Sequence, residues 1–213
     1  MENFRTKLLI YLGALSVGTL LISNLVAMKL WDFFGIAVDG GVVVFPLTYI
    51  LGDLIVEFYG KKTAKDIVFA GFLVNILAVF VFYLVILLPV YEGWELQDAF
   101  SSVLGFTPRI IFGSLVAYVC SNLLNNYVFT KFKEGSGVLS KSFIARALSS
   151  STLAHMIVCA IFESIAFVGV LPFKEFLAQA ILAYFLGMGL ELILAPIEAI
   201  VAKKVGGMLD ERV

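Results

Sequence analysis

"GGVVVFPLTYILGDLIVEFYG", residues Gly40 to Gly60, decides how the chain folds. The stretch is almost wholly apolar, yet it holds Pro46 and two carboxylates four residues apart, Asp53 and Glu57. Side chains spaced by four residues share one face of a helix. Proline suits the first helical position, because its missing N–H needs no partner there. We predict a second membrane helix that is broken or begins at Pro46, with irregular chain before it; a continuous helix kinked at Pro46 is the alternative.

The composition places the chain in a membrane. Of 213 residues, 61% are hydrophobic and only 15% are charged, and the mean hydropathy is +1.02. A soluble domain of this size has too few polar residues to cover so much apolar surface. The net charge of −1 gives no reason to expect nucleic acid. Cys120 and Cys159 lie in apolar runs, which predicts small buried side chains and no disulfide or metal pair.

Six apolar runs approach or exceed the roughly 20 residues that a membrane helix needs. They are Leu8–Leu30, Val42–Tyr59, Ile67–Val90, Ile110–Phe129, Ala147–Val170 and Phe176–Val201. We therefore predict an all-α integral membrane protein with one domain over residues 1–213 and six transmembrane helices. Twelve of the 15 basic residues fall on one side of these spans, leaving Lys29, Arg109 and Lys174 on the other. By the positive-inside rule both termini are cytoplasmic and the chain is a multi-pass protein of the cell (inner) membrane.

A short internal match suggests two halves. Ser23-Asn24-Leu25 in the first span recurs as Ser121-Asn122-Leu123 in the fourth. Two units of three helices run in opposite directions, so the match predicts a 3+3 inverted repeat over residues 1–90 and 108–205. Chance is the competing explanation. The fifth span also begins with four hydroxyl residues, Ser149 to Thr152, which predicts a second interrupted entry near a central binding site.

Acidic residues inside the spans are the strongest sign of function. Each charged group at the bilayer centre costs at least about 2.5–3.5 kcal/mol, and the spans hold Asp53, Glu57, Glu163, Glu191 and Glu198. Glu57 and Glu198 lie near the predicted cytoplasmic ends of their spans. The simpler explanation for them is a side chain that extends to water at the membrane surface. A dehydrated carboxylate binds a proton more readily, which makes Asp53, Glu57 and Glu163 candidates for proton coupling.

Amides, aromatics and one histidine lie at helical spacing beside these acids. In membranes a single Asn often only joins helices, and His155 is more often a packed, hydrogen-bonded residue than a ligand. A set of acids with amides and aromatic rings suits a flat solute that is cationic or donates hydrogen bonds. No metal-ligand cluster, phosphate loop or nucleophile set appears, so we expect neither a cofactor nor an enzyme.

The chain resembles the queuosine precursor transporters, which group with the vitamin-uptake transporters. The resemblance is carried by "FPLTYILGDLIVEFYG", "SN" in the first span, "GSLVAY" at Gly113 to Tyr118, Ser151-Thr152, "IAF" at Ile165 to Phe167 and a proline in the last span. It implies import of a 7-deazaguanine-type base across a bacterial cell membrane, for tRNA modification. Such bases include 7-cyano-7-deazaguanine, 7-aminomethyl-7-deazaguanine and queuine.

The chain departs from the pattern of that family in three spans. The fourth span has Asn122 and Asn125 where the family has Gln-x-x-Asp. In the fifth span Cys159 or a neighbour replaces an Asp, with Glu163 one turn on. The sixth span lacks a Lys before its proline and offers Glu191. An acid and a base lost together suggest a buried ion pair replaced as a unit.

These observations predict a substrate site. A carboxylate, Asp53 or Glu163, would accept two hydrogen bonds from a guanine-like edge, aromatic rings would stack on the base, and amides would bind its other polar atoms. The candidate residues are Asn24, Phe45, Tyr49, Asp53, Tyr118, Asn122, Asn125, Thr152, His155, Glu163 and Glu191. The alternative is a substrate-binding membrane subunit of an ATP-driven vitamin or nucleobase uptake complex. Expected partners are the nucleobase-like substrate and the lipid bilayer, with a homodimer left open.

Overall fold

The computed structural model describes residues 2–134 and 143–210, which form five helices and one short β-hairpin. The elements are helix α1 (Glu2–Val26), strands β1 (Leu30–Phe33) and β2 (Ile36–Asp39), and helices α2 (Gly41–Ile86), α3 (Gln97–Glu134), α4 (Phe143–Phe167) and α5 (Phe173–Asp210). The predicted helical membrane architecture is confirmed at this level. The hairpin is an addition that the sequence pattern did not predict.

Helix α2 reverses direction at Gly60. This residue has φ 83° and ψ 164°, a conformation that almost only glycine adopts. The turn divides α2 into a first arm, residues 41–59, and a second arm, residues 61–86. At 1.5 Å per residue the arms rise roughly 28 and 39 Å, enough for each to cross a bilayer.

Two contacts show that α1 and the first arm of α2 run in opposite directions. At one end of the bundle, the Tyr59 hydroxyl donates to the Arg5 carbonyl across 2.7 Å. At the other end, the Gly40 N–H donates to the Lys29 carbonyl across 2.8 Å, where the hairpin lies. We call these the basic end, which holds Arg5, Lys61 and Lys62, and the hairpin end.

The start of α2 differs from the prediction. The helix begins at Gly41, not at Pro46, and residues 41–45 are helical. Asp39 explains this start, because its Oδ1 accepts the Gly41 N–H at 2.8 Å and so satisfies a donor that the first helical turn leaves open. Pro46 removes only the bond to the Val42 carbonyl, close to the helix start. The predicted irregular entry is therefore wrong, and the break in α2 lies at Gly60.

The fifth span is also continuous. Helix α4 runs from Phe143 through the four hydroxyl residues to Phe167 without a break. The predicted interruption at Ser149 to Thr152 is therefore wrong, because hydroxyl residues fit within a helix when its backbone bonds are kept.

The β-hairpin closes one end of the bundle. Its turn is Phe34-Gly35, and both residues have positive φ, 52° and 84°, as in the primed turns that suit two-residue hairpins. The Phe34 side chain is 91% exposed, whereas Val38 on β2 is fully buried. The hairpin thus presents one face to the helices and its tip to the surroundings.

Apolar surface is distributed as a bilayer requires. Four described stretches are long and apolar enough to span: Phe4–Val26, Gly41–Ile86, Gln97–Ser121 and Phe173–Leu194; His155–Phe167 is a shorter apolar helix. The second arm of α2 exposes large side chains such as Phe69, Ile76 and Phe80. A buried core at the hairpin end joins the residue that follows α1 to α3, α4 and α5, through Ala27, Ile110, Ala166, Phe167 and Phe176. The molecule is packed inside and apolar outside, which is the arrangement of a multi-pass membrane protein.

Candidate functional site

Two buried polar clusters join the helices, and the first consists of amides. In this amide cluster, Asn24 Nδ2 donates to Asn75 Oδ1 at 2.9 Å, and Ser114 Oγ donates to Asn24 Oδ1 at 2.7 Å. Asn75 Nδ2 donates in turn to the Gly71 carbonyl at 2.8 Å. The cluster links α1, the second arm of α2 and α3. Both side-chain polar atoms of Asn24 are engaged within the protein, so its observed contacts hold helices together.

The second cluster contains two acids and an amide. Asp39, Glu163 and Gln179 come from β2, α4 and α5, and each is at most 3% exposed. Gln179 Nε2 donates to Glu163 Oε2 at 2.8 Å, and the Asp39 carboxyl group lies close enough to that of Glu163 to interact with it. Two negative charges near each other in a buried place are unfavourable, which favours a proton on one of the two acids. We call this group the carboxyl cluster.

The electrostatics of Asp39 follow from its position. Burial raises the pKa of Asp39 to about 6, while the backbone N–H groups of Gly41 and Val42 act in the opposite direction. Those two donors favour the ionised form of Asp39. Desolvation is the larger of the two effects, so the pKa of Asp39 stays above its ordinary value of 3.8.

The carboxyl cluster continues along the contact between α4 and α5. Two turns before Glu163, the ring of His155 lies 5.6 Å from that of Tyr184. A Cβ added at Gly187 would lie 2.9 Å from His155 Nε2. The antiparallel register thus pairs Glu163 with Gln179 and His155 with Gly187. Glu163 and His155, two of the predicted site residues on the fifth span, thus both face α5, and Gly187 on that helix makes room for the imidazole.

The acids of the opening stretch lie elsewhere. Asp53 and Glu57 are both exposed, whereas Leu54 and Ile55 between them are buried against α1. The two acids therefore occupy a face of the first arm of α2 that does not pack on α1. Asp53 is not in the carboxyl cluster, so the structure separates the two acids that the sequence proposed as alternative substrate partners.

The remaining predicted residues are spread over several contacts. The Tyr118 ring packs on Phe72, with centroids 5.4 Å apart. Phe45 and Thr152 are partly buried in α2 and α4. The side chains of Tyr49, Asn122, Asn125 and Glu191 lie outside the described residues. No group of three or more His, Cys, Asp or Glu side chains within the described part of the chain has the geometry of a metal site.

Sequence reasoning missed Asp39 and Gln179. Asp39 precedes the apolar run, where the sequence pattern indicates a loop, and Gln179 is a single amide near the start of the sixth span. The one available signal for Asp39 was the Asp-Gly-Gly sequence at the start of a helix, where Asp commonly accepts backbone N–H groups. Nothing in the sequence connects Gln179 to Glu163, because their contact depends on the pairing of α4 with α5.

The fold and these clusters define the class of protein: a multi-pass helical membrane protein with titratable groups buried between its helices. The comparisons give the family. Residues 39–201 match the family model described as "Putative vitamin uptake transporter", and the chain belongs to this family. The resemblance noted in the sequence is thereby confirmed.

Three relatives have names that indicate a substrate. A "Probable queuosine precursor transporter" of Bacillus subtilis is 28% identical over 182 residues, covering 85% of this chain and 79% of that protein. A protein of the same name from Haemophilus influenzae is 28% identical over 60% of this chain and 51% of its own length. The "Queuosine precursor transporter" of Escherichia coli is 26% identical over 62% of this chain and 59% of its own length. No solved structure matches the chain.

Proposed function

We propose that this protein imports a 7-deazaguanine-type base, a precursor of queuosine, for use in tRNA modification. The observation that carries the proposal is the similarity to transporters named for queuosine precursors, one of which aligns with 85% of this chain. The buried polar clusters support a transporter, because acids inside a membrane bundle are costly and usually mark a solute or ion path.

Asp53 is the proposed partner of the base. It is exposed in the middle of an apolar helix arm, and a carboxylate facing lipid would cost at least about 2.5–3.5 kcal/mol. We therefore place Asp53 on a water-filled path, where its two oxygens would accept the adjacent N–H groups of a guanine-like edge. Phe45, Tyr49 and Tyr118 are the proposed stacking residues, and Thr152 and His155 the proposed polar neighbours.

Six spans with cytoplasmic termini complete the proposal. The two arms of α2 and helices α1, α3, α4 and α5 supply six segments that alternate in direction. Arg5, Lys61 and Lys62 lie at one end, which supports that end as the cytoplasmic one. The hairpin end would then face outward.

Uptake is the direct test. Cells that cannot synthesise the base would take up labelled 7-deazaguanine precursors only when the protein is expressed. Asp53→Ala should reduce this uptake about 10- to 100-fold, the effect of losing a charge-assisted hydrogen bond. Asp66→Ala, an exposed acid on the second arm of α2, is the matched control and should take up the base normally.

The outcomes separate the alternatives. Uptake of none of the precursors by the wild-type protein would refute the function, and normal uptake by Asp53→Ala would refute the site. Uptake that needs a co-expressed ATPase would instead favour the substrate-binding subunit of an ATP-driven complex.

A further inference from the structure

The tip of the β-hairpin carries a side chain that its turn does not favour. In a two-residue turn of this kind the first position prefers Asn, Asp or Gly, and a positive φ is unusual for a bulky residue such as Phe34. Phe34 is nevertheless the most exposed large hydrophobic residue in the described part of the chain. Its ring lies edge-on to that of Phe33, with centroids 4.9 Å apart, and the protein leaves most of its surface uncovered. A ring presented in this way suits apolar surroundings outside the protein.

The tip lies at the depth at which a membrane span begins. Gly35, the second residue of the turn, lines a groove together with Lys174 and Glu175, which belong to the first turn of α5. The apolar span of α5 starts immediately before them, at Phe173. The tip is therefore level with the start of a span, where the headgroups of a bilayer meet the acyl chains, and does not stand far out in water.

The hairpin also carries its tip sideways, away from the core. At the base of the hairpin, Leu30 packs against the buried core and Val38 is fully buried. The two strands pair over four residues each, which sets the tip about 10–13 Å from the base. This length is similar to the diameter of a helix, about 10–12 Å, and β2 packs on α5. The tip therefore passes the side of α5 and reaches the rim of the bundle.

The side chains around the tip match the chemistry of a bilayer surface. Phe173, which begins α5 beside the groove, is 75% exposed. The exposed charged groups at this level are two bases and two acids: Lys29, Lys174, Asp32 and Glu175. Aromatic rings are favoured at the boundary between headgroups and acyl chains, and lysine side chains extend from there to phosphate groups. Exposed rings among charges of both signs thus suit lipid headgroups, which carry charges of both signs themselves.

We propose that the hairpin tip is a lipid anchor: Phe34 and Phe173 insert into the boundary between headgroups and acyl chains of the leaflet at the hairpin end. Lipid is then the partner that covers the ring of Phe34, and Lys174 binds lipid phosphate beside it. The anchor involves no solute, so it is independent of the proposed transport function. A second copy of the chain is the competing partner for the same rings.

Tryptophan fluorescence locates the tip in the bilayer. The chain has two tryptophans, so Trp31→Phe together with Trp94→Phe makes Phe34→Trp the sole tryptophan of the full-length protein. The protein is reconstituted into phosphatidylcholine vesicles whose acyl chains carry bromine either close to the headgroup or near the middle of the bilayer. The shallow bromines should quench roughly half of the emission, because aromatic rings at the interface lie at headgroup level. Deep bromines and iodide in the water should each quench less.

A lipid-facing position gives the matched control. Leu73 is an exposed apolar residue midway along the second arm of α2. In the same tryptophan-free background, Leu73→Trp should be quenched most strongly by the deep bromines, since its place on the arm puts it near the middle of the bilayer.

A second variant keeps both tryptophans, because Trp31 Nε1 donates to the Asp39 carbonyl at 3.3 Å and Trp31→Phe removes that bond. In a chain with Cys120→Ser and Cys159→Ala, Phe34→Cys carries a nitroxide label whose collisions with oxygen and with a water-soluble nickel complex are compared. Oxygen concentrates in the bilayer, so the label should collide with oxygen more often than with nickel. A label at Phe173→Cys should lie at the same depth, and one at Leu73→Cys should lie deeper.

Three results would overturn the anchor. Strong quenching by iodide without quenching by brominated lipid would place the tip in water, and stronger quenching by deep than by shallow bromines would place it among the acyl chains. Protection of the tip from both quenchers, or spectral broadening between labels that grows with the amount of protein per lipid, would show that a second copy covers it. Shallow quenching that is the same at every ratio of protein to lipid supports the anchor.

Discussion

The amide cluster and the carboxyl cluster both lie buried between helices, yet they differ in one respect. In the amide cluster, Asn24 and Asn75 find partners inside the protein for the atoms that join α1, α2 and α3. In the carboxyl cluster two buried acids lie near each other, and Gln179 Oε1 finds no donor in the part of the chain that the structure describes. A satisfied neutral cluster has one stable arrangement, whereas a cluster that needs a proton has two. The first is suited to holding helices together, whereas the second can also bind or lose a proton.

The largest expected effect is a loss of uptake in a variant of the carboxyl cluster, which distinguishes this cluster from the amide cluster. Glu163→Gln should lower uptake of the labelled base by about 100-fold, a change of ~2.7 kcal/mol in the rate-limiting barrier, because an amide at this proton-coupling candidate can no longer bind and release a proton. Its thermal midpoint should stay close to that of the wild type, since the amide replaces the hydrogen bond. Normal uptake by a well-folded Glu163→Gln protein would remove the carboxyl cluster from the mechanism.

The next effect concerns stability and pH. The pKa of Asp39 is raised from 3.8 to about 6 in the folded protein, so the folded state binds the proton more tightly than the unfolded state. Stability should therefore fall by up to about 2–3 kcal/mol as the pH rises from about 4 to about 6, and stay level above that. Thermal unfolding across this range measures it.

The relevant quantity is the difference between the wild type and Asp39→Asn, because other carboxyl groups titrate in the same range. Asp32→Asn should retain the full slope. A difference curve without slope would mean that Asp39 is as well solvated as an ordinary surface acid.

A smaller effect should reveal the amide cluster as structural. Asn75→Ala leaves Asn24 Nδ2 without its acceptor and should cost about 1–2 kcal/mol of stability. Uptake per folded molecule should be unchanged. Leu77→Ala, on the same arm and 59% exposed, is the control and should cost much less. A transport defect in a stable Asn75→Ala protein would instead place the amide cluster on the solute path.

The smallest effect tests the space beside His155. Gly187→Ala adds a Cβ 2.9 Å from His155 Nε2, so the imidazole must shift. The gain in helix propensity offsets part of the strain, and the net change in stability should stay within about 1 kcal/mol. Uptake should fall severalfold if His155 borders the base. Gly189→Ala, where an added Cβ meets no atom within 4 Å, should leave uptake unchanged.

The sequence predicted the helices themselves better than the places where they begin or break. The membrane class, the apolar runs and the family follow from composition and motif. Two details failed: Pro46 does not begin α2, and Ser149 to Thr152 do not interrupt α4. In both places backbone hydrogen bonding overrode the local preference of a single residue type, since a helix in a membrane keeps its backbone bonds wherever it can.

The candidate site was predictable only in part. Glu163 and His155 were selected because a buried polar stripe at helical spacing is costly, and that cost is visible in a sequence. The residues opposite them on α5 could not be predicted from the sequence. Gln179 and Gly187 are opposite them because α4 and α5 pack antiparallel in one register, which no local pattern encodes.

The sequence by itself determined that this chain lies in a membrane, that its helices are broken up by charged loops, and that acids are buried among them. These properties depend on side-chain chemistry and on spacing along one helix. Only the tertiary structure decided that Asp53 stands apart from Glu163, and that Asp39 joins Glu163 under the hairpin. Residues 124 positions apart in the chain, as Asp39 and Glu163 are, come near each other because β2 packs on α5, which in turn lies against α4, and no local sequence pattern encodes that packing.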